Sequence, residues 1–218
     1  MPIPKIFVTA TNTEVGKTHT TLRLMQEAAK RGLRPLAFKP IETGVGPEGP
    51  LDGQKLLAAA KRLNPDAQDL TIEAIVPYRF PLPAAPFVAK GHTPIDLTEL
   101  KNRAEALAKR CDILFIEGAG GLMVPIDEKY FMIDLPRLFR AKTLLVAPGV
   151  LGSINDTLLS LEALKHRHIE PILAVNVKEN EKESFGRVTR PYYEACGLKY
   201  AEIEKECEDI LRACLAAS

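Results

Sequence analysis

One passage constrains this chain more than any other: an apolar run, Ile6-Phe7-Val8-Thr9-Ala10, leads straight into Thr11-Asn12-Thr13-Glu14-Val15-Gly16-Lys17-Thr18. A strand that enters a turn ending in Gly-Lys-Thr and leaves it as a helix forms a phosphate-binding loop. Backbone N–H groups and the positive end of the helix hold phosphate oxygens. Lys17 then reaches the β- and γ-phosphates, and the Thr18 hydroxyl is offered to Mg²⁺. The loop departs from the common pattern in one place, because the glycine expected five residues before Gly16 is Thr11.

Such a loop belongs on a parallel sheet, and apolar runs alternate with helical patterns along the rest of the chain. Strands are expected at Ile6–Ala10, Pro35–Lys39, Asp112–Glu117, Thr143–Ala147 and Pro171–Val177. Helices are expected at Thr18–Arg31, Asp52–Leu63 (capped by Asp52), Leu97–Arg110, Ser153–His166 (capped by Ser153), Ser184–Cys196 and Ala201–Leu215, with a short one within Phe131–Phe139. Gly118–Gly121 reads as a tight loop, and the proline-rich residues 77–94 read as an ordered excursion over the active face. The fold class is α/β: a mostly parallel central sheet flanked by helices, as in P-loop NTPases. Residues 1–218 show no linker, repeat or composition break and are read as one domain.

Composition removes several function classes. A net charge of +1 gives no electrostatic case for binding nucleic acid or an acidic membrane surface. No apolar stretch approaches the ~20 residues that span a bilayer, and no signal peptide is recognisable, so the expected location is the cytosol. Cys111, Cys196, Cys207 and Cys214 form no Cys-x-x-Cys pair and are read as plain thiols.

Several further residues stand at predicted strand ends, where α/β sheets bind ligands. Glu117 ends an apolar strand and suits a Walker-B acid that binds Mg²⁺, or a carboxylate that caps the glycine turn. Lys39 is held extended by Pro40 and reads either as a site residue or as a surface lysine. Thr43-Gly44 reads first as a turn, and Glu42 beside it as a side chain pointing to solvent. Asn176 closes the last central strand.

Together these fragments resemble one family, the ATP-dependent dethiobiotin synthetases. The matching residues are Ala10 through Thr18, Phe38-Lys39-Pro40, Thr43-Gly44, Asp52, Glu117-Gly118-Ala119-Gly120-Gly121, Gly152-Ser153-Ile154-Asn155 and Asn176, in the family's order and at similar spacing. The resemblance implies an enzyme that joins 7,8-diaminononanoate and CO₂ at the expense of a Mg²⁺-bound nucleoside triphosphate, ATP in the family. A carbamate and a carbamic–phosphoric anhydride precede closure of the ureido ring.

It also implies roles. Lys17, Lys39 and Thr13 would be catalytic. Nucleotide contacts would come from Thr13, Glu14, Val15, Gly16, Lys17, Thr18 and His19, and from Glu117, Gly118, Gly120 and Asn176, the last on the base. The diamine or its carbamate would meet Thr13, Lys39, Thr43 and Gly120. Its carboxylate would meet Leu151, Gly152, Ser153, Ile154 and Asn155 of a second copy, so a homodimer would build each site. Thr18, Asp52 and Glu117 would hold Mg²⁺.

One departure bears on the base. The family carries a Gly-x-(Ile/Leu)-Pro segment after the asparagine that frames adenine, whereas here Gly197-Leu198-Lys199-Tyr200 leads into a charged helix. Weak discrimination among nucleoside triphosphates is the expectation. Competing readings are a partner-switching ATPase related to chromosome-partitioning and division-site proteins, a cobyrinate-type amidotransferase, and a non-catalytic nucleotide-binding module. The first class carries an early loop lysine where this chain has Asn12, the second needs a further glutaminase domain, and the third would consume no substrate.

Overall fold

The computed structural model describes residues 3–216. Six strands form one sheet in the order β2-β5-β1-β6-β7-β8: β1 is Lys5–Ala10, β2 Pro35–Phe38, β5 Ile113–Gly121, β6 Lys142–Pro148, β7 Pro171–Asn176 and β8 Ala201–Glu202. Every pairing in it is parallel. Parallel strands are covered on both faces, so their sequences are continuous apolar runs rather than alternations. Ile6, Phe7, Val8, Ile113, Leu114, Phe115, Ile116, Leu144, Leu145 and Val146 accordingly have no exposed surface.

The longer covering helices are α1 (Lys17–Lys30), α2 (Leu51–Leu63), α5 (Leu97–Ala108), α7 (Ser153–His166) and α10 (Ile203–Leu215). Short turns α3 (Ile72–Ile75), α4 (Pro86–Ala89), α6 (Leu135–Phe139), α8 (Lys182–Ser184) and α9 (Arg190–Ala195) fill the connections. Helix α1 packs between α2 and α10 and buries Leu24, Met25 and Ala28 at helical spacing. Each such large side chain contributes about 1.5–3 kcal/mol by leaving water. No helix among the described residues is long and apolar enough to cross a membrane.

The structure corrects or adds detail to the sequence reading in several places. A second, two-stranded parallel sheet joins β3 (Ile41–Thr43) to β4 (Tyr78–Phe80), so the proline-rich segment is tied to the chain after Lys39. Gly118–Gly121 is no tight loop but the end of β5, with a register shift opposite Val8–Ala10. Space is short there: a Cβ on Gly118 would stand 3.0 Å from the Phe7 ring and one on Gly121 3.0 Å from the Thr11 carbonyl oxygen. Neither Asp52 nor Ser153 caps its helix. Pro50 holds the N-cap of α2, and Gly152, at φ 91°, that of α7. The helix expected over Ser184–Cys196 opens into a π turn at Phe185–Thr189, ahead of Pro191, whose nitrogen has no hydrogen to continue an α-helical ladder. Ala201-Glu202 is an edge strand rather than the start of the last helix.

Candidate active site

The carboxyl ends of β1, β2, β5 and β7 meet around the loop between β1 and α1. Gly16 is the N-cap of α1 at φ 104°, and Glu14 is also left-handed at φ 56°. A tight nest of this kind turns successive N–H groups inward and makes a concavity for an anion. Asn176, at the end of β7, donates its side-chain N–H to the Val15 carbonyl at 2.9 Å. A Cβ on Gly16 would stand 2.1 Å from that nitrogen, so only glycine lets Asn176 brace the loop.

Glu117 has no exposed surface, and its two oxygens collect three donors. Thr18 Oγ1 donates to Oε1 at 2.8 Å, Lys39 Nζ donates to the same oxygen at 2.6 Å, and Thr21 Oγ1 donates to Oε2 at 3.1 Å. Asp52 Oδ2 lies 3.5 Å from Lys39 Nζ. Burial works against the Lys39 charge, but Glu117, Asp52 and, more weakly, Glu42 outweigh it and hold its pKa above the ordinary lysine value. Lys17 has the opposite fate. Burial and then the Lys39 charge lower its pKa to about 8, against smaller upward pulls from Glu117 and Asp52. Its Nζ donates to the Asn12 carbonyl at 3.2 Å.

A metal has a place in this arrangement. Thr18, Asp52 and Glu117 offer hard oxygens, and in the structure Glu117 and Asp52 already share one cation, the Lys39 ammonium. A hydroxyl and two carboxylates fit Mg²⁺, which takes its other ligands from phosphates and water. Among the described residues no group of three or more His, Cys, Asp or Glu side chains could hold a metal by itself.

Among the described residues, two cavities of more than 500 Å³ flank the loop. One, of about 560 Å³, is lined by Thr13, Glu14, Lys17, Lys39, Glu42, Thr43, Asp52, Pro83–Pro86, Ala119, Gly120 and Val124. The proline-rich segment thus walls the cavity. The other, of about 570 Å³, is lined by Gly16, His19, Asn176, Val177, Lys178, Glu179, Lys182 and Glu204. His19 Nε2 pairs with Glu204 Oε1 there at 2.6 Å. The chain passes this second cavity at Ala201-Glu202-Ile203-Glu204, which agrees with the anticipated Gly-x-(Ile/Leu)-Pro only at Ile203.

The residues read from sequence therefore fall into three groups. Thr13, Glu14, Lys17, Thr18, Lys39, Thr43, Asp52, Glu117 and Gly120 come together on the first side. Gly16, His19 and Asn176 line the second, with Val15 buried beneath the loop and Gly118 packed on Phe7. Leu151-Gly152-Ser153-Ile154-Asn155 lies at the start of α7 and lines neither cavity; Leu151 is 76% exposed. Glu42 was misread. It is 7% exposed and faces the site instead of solvent. A lone glutamate in a short strand carries no sequence signal of that, because its partners lie ten residues away.

The sheet order, the nest and the buried acid within β5 define a P-loop protein. A family model described as an AAA domain matches residues 4–208. Relatives named ATP-dependent dethiobiotin synthetase BioD are 48% identical over 87% of this chain and 90% of the relative in a Sulfurovum species. The Wolinella succinogenes relative is 42% identical over 97% of this chain and 98% of its own length. The chain belongs to the ATP-dependent dethiobiotin synthetase family. Solved structures of the MinC:MinD complex of Aquifex aeolicus (TM-score 0.56, 14% identity, 97% of this chain and 86% of the other) and of a ParA family ATPase from Chlorobium tepidum (0.55, 15%, 96% and 89%) share the fold. At that identity they speak to architecture alone, so the partner-switching reading has no support beyond the fold.

Proposed function

We propose that residues 1–218 act as one P-loop domain that closes the ureido ring of dethiobiotin from 7,8-diaminononanoate and CO₂, with ATP as co-substrate. The observation that carries this reading is the convergence of Lys39 and Thr18 on the buried Glu117, with Asp52 on the far side of the Lys39 ammonium, beside a cavity walled by Thr13 and Thr43. That cavity can seat a second substrate against the γ-phosphate, which a simple hydrolase does not need.

One amine adds to CO₂ and loses a proton, giving a carbamate. A carbamate oxygen attacks the γ-phosphorus, and ADP leaves. The second amine then attacks the carbonyl of the mixed anhydride, loses its proton and expels phosphate, which carries away the attacking oxygen. In-line transfer between two anions depends on positioning and on fixed positive charge. Lys39 supplies that charge on the substrate side and Lys17 on the phosphate side. Thr13, Thr43 and Gly120 orient the diamine and carbamate. Thr18, Asp52 and Glu117 would hold Mg²⁺, which neutralises developing charge on the triphosphate. Glu14 stands at the same mouth, where it suits an amine better than a phosphate.

On the other side, Asn176 keeps its amide oxygen for an exocyclic amine on the base, since its nitrogen is engaged by Val15. His19, Glu204, Lys178 and Lys182 supply the remaining wall. These are exposed polar side chains, which favours loose reading of the base. Leu151–Asn155 reaches the diamine carboxylate of a partner subunit, through the N–H groups that open α7. Exposed Leu159 and Met123 beside α7 support a homodimer through that face. The location is the cytoplasm.

Product assay tests the whole reading. Phosphate release is expected to require both the diamine and bicarbonate, one phosphate per dethiobiotin. ATP hydrolysis indifferent to the diamine would contradict it.

A further inference from the structure

Glu42 has no assigned part in the chemistry above, yet it is buried beside it. It occupies the middle of β3, three residues after Lys39 and next to Thr43. Its Oε1 accepts the Asp52 N–H at 3.1 Å and its Oε2 accepts the Gly53 N–H at 2.9 Å. These are orphan donors of the first turn of α2, a turn for which Pro50 supplies no side-chain acceptor. Capping is ordinarily local, by the residue just before the helix. Here the cap comes from another strand, ten residues back in the chain.

The fit is close on both sides. A Cβ on Gly53 would stand 3.2 Å from Glu42 Oε2 and 2.1 Å from Val76 Cγ2, so the absence of a side chain there lets the carboxylate seat against the helix. The Asp52 side chain, by contrast, is held by little of its own. It is 40% exposed, 3.5 Å from Lys39 and 3.8 Å from the exposed Lys55. What fixes its direction is the backbone beneath it, and Glu42 holds that backbone.

We propose that Glu42 is a positioning residue: by clamping the first turn of α2 it aims Asp52 at the phosphate end of the site and so sets divalent-cation affinity. This rests on the reading of Thr18, Asp52 and Glu117 as cation ligands. Glu42→Gln preserves shape but leaves one acceptor where two N–H groups need two, and sets an amide donor against the other. Mn²⁺ titration of the ADP-bound protein, followed by electron paramagnetic resonance, reads the site without turnover.

The expected result is Mn²⁺ binding weakened about tenfold, the low end for groups that support metal ligands. ADP affinity without metal should be unchanged, and the Mn²⁺ effect of Glu42→Gln should vanish in an Asp52→Asn background. Wild-type Mn²⁺ affinity in Glu42→Gln would overturn the proposal, as would an equal loss with or without Asp52. If Glu42→Gln does not fold, Glu42→Asp takes its place; drawn back by one methylene, it is expected to weaken Mn²⁺ in the same Asp52-dependent way. An Asp52→Asn protein that binds Mn²⁺ like wild type would remove Asp52 from the ligand set and take the proposal with it. The phosphate-releasing reaction would still be tested separately by its product.

Discussion

The two ends of the proposed nucleotide site are built differently. At the phosphate end, charges are buried and paired before any substrate arrives: Glu117 is fully enclosed, and Thr18, Thr21 and Lys39 donate to its oxygens. At the base end, His19 and Glu204 are each nearly half exposed and pair with one another across the mouth of the cavity. Preorganised charge in a buried site is worth far more than the same charge in water, and it needs no rearrangement during reaction. On the proposed reading, the contrast places preorganised charge where the phosphoryl group moves and leaves the base to exposed polar groups.

The largest effect that could break this comparison is at Lys39. Lys39→Ala is expected to lower kcat by at least about 10³-fold while changing nucleotide affinity less than about threefold. Calorimetric nucleotide titration alongside the product assay checks both halves. Turnover near wild type would remove Lys39 from the chemistry.

Lys17 sharpens the same point through stability. Its pKa of about 8, against 10.5 for a free lysine, means that the folded protein disfavours the charged form. At pH 7 the lysine is charged in both folded and unfolded states, so the cost is fully present. It declines as pH rises through the folded value and is gone above the unfolded one. Lys17→Met, without nucleotide, is therefore expected to be more stable than wild type by about 1–3 kcal/mol at pH 7, with the gap closing between about pH 8 and 10.5. The same variant should lose nucleotide binding. Denaturant unfolding at pH 7 and pH 10 measures the gap; a variant less stable than wild type at pH 7 would show that the lysine is not strained by burial.

At the base end, smaller effects are expected. Values of kcat/KM for ATP, GTP and CTP should lie within about tenfold of one another, since one amide oxygen and exposed polar side chains discriminate little. A strong preference for ATP would mean the base end is as well formed as the phosphate end. Asn176→Ala should weaken all three by a similar factor, about fivefold for one neutral hydrogen bond, because its side chain also braces the loop at Val15.

The smallest effect is a labelling difference. Cys196 is exposed, beyond the π turn. Cys111, just before β5, and Cys214 are buried and their thiols are pushed up to about 12 by burial. Native protein at pH 8 should therefore react fast with a thiol reagent at Cys196 alone, a result that peptide mapping of the labelled protein can confirm or refute.

Much of this was legible in the chain. The strands were apolar runs because parallel strands are buried on both faces, and the loop announced itself because phosphate binding needs a fixed set of residues at fixed spacing. The acid at Glu117 was readable for the same reason. What the chain concealed depends on pairing across distance. Glu42 looked solvent-facing because its partners, the N–H groups of Asp52 and Gly53, carry no side-chain mark of being orphaned. Gly118-Ala119-Gly120-Gly121 looked like a turn, yet it extends β5, with Gly118 and Gly121 passing Phe7 and the Thr11 carbonyl closely. The edge strand at Ala201-Glu202 is too short for any periodicity to show.

The central claim is that a carbamate, not water, takes the γ-phosphoryl group. ¹⁸O-labelled bicarbonate, mixed rapidly with enzyme, diamine and Mg·ATP in unlabelled water, tests it directly. The account predicts one ¹⁸O in the released phosphate for each ring closed from labelled CO₂. Phosphate whose new oxygen comes from water would contradict it.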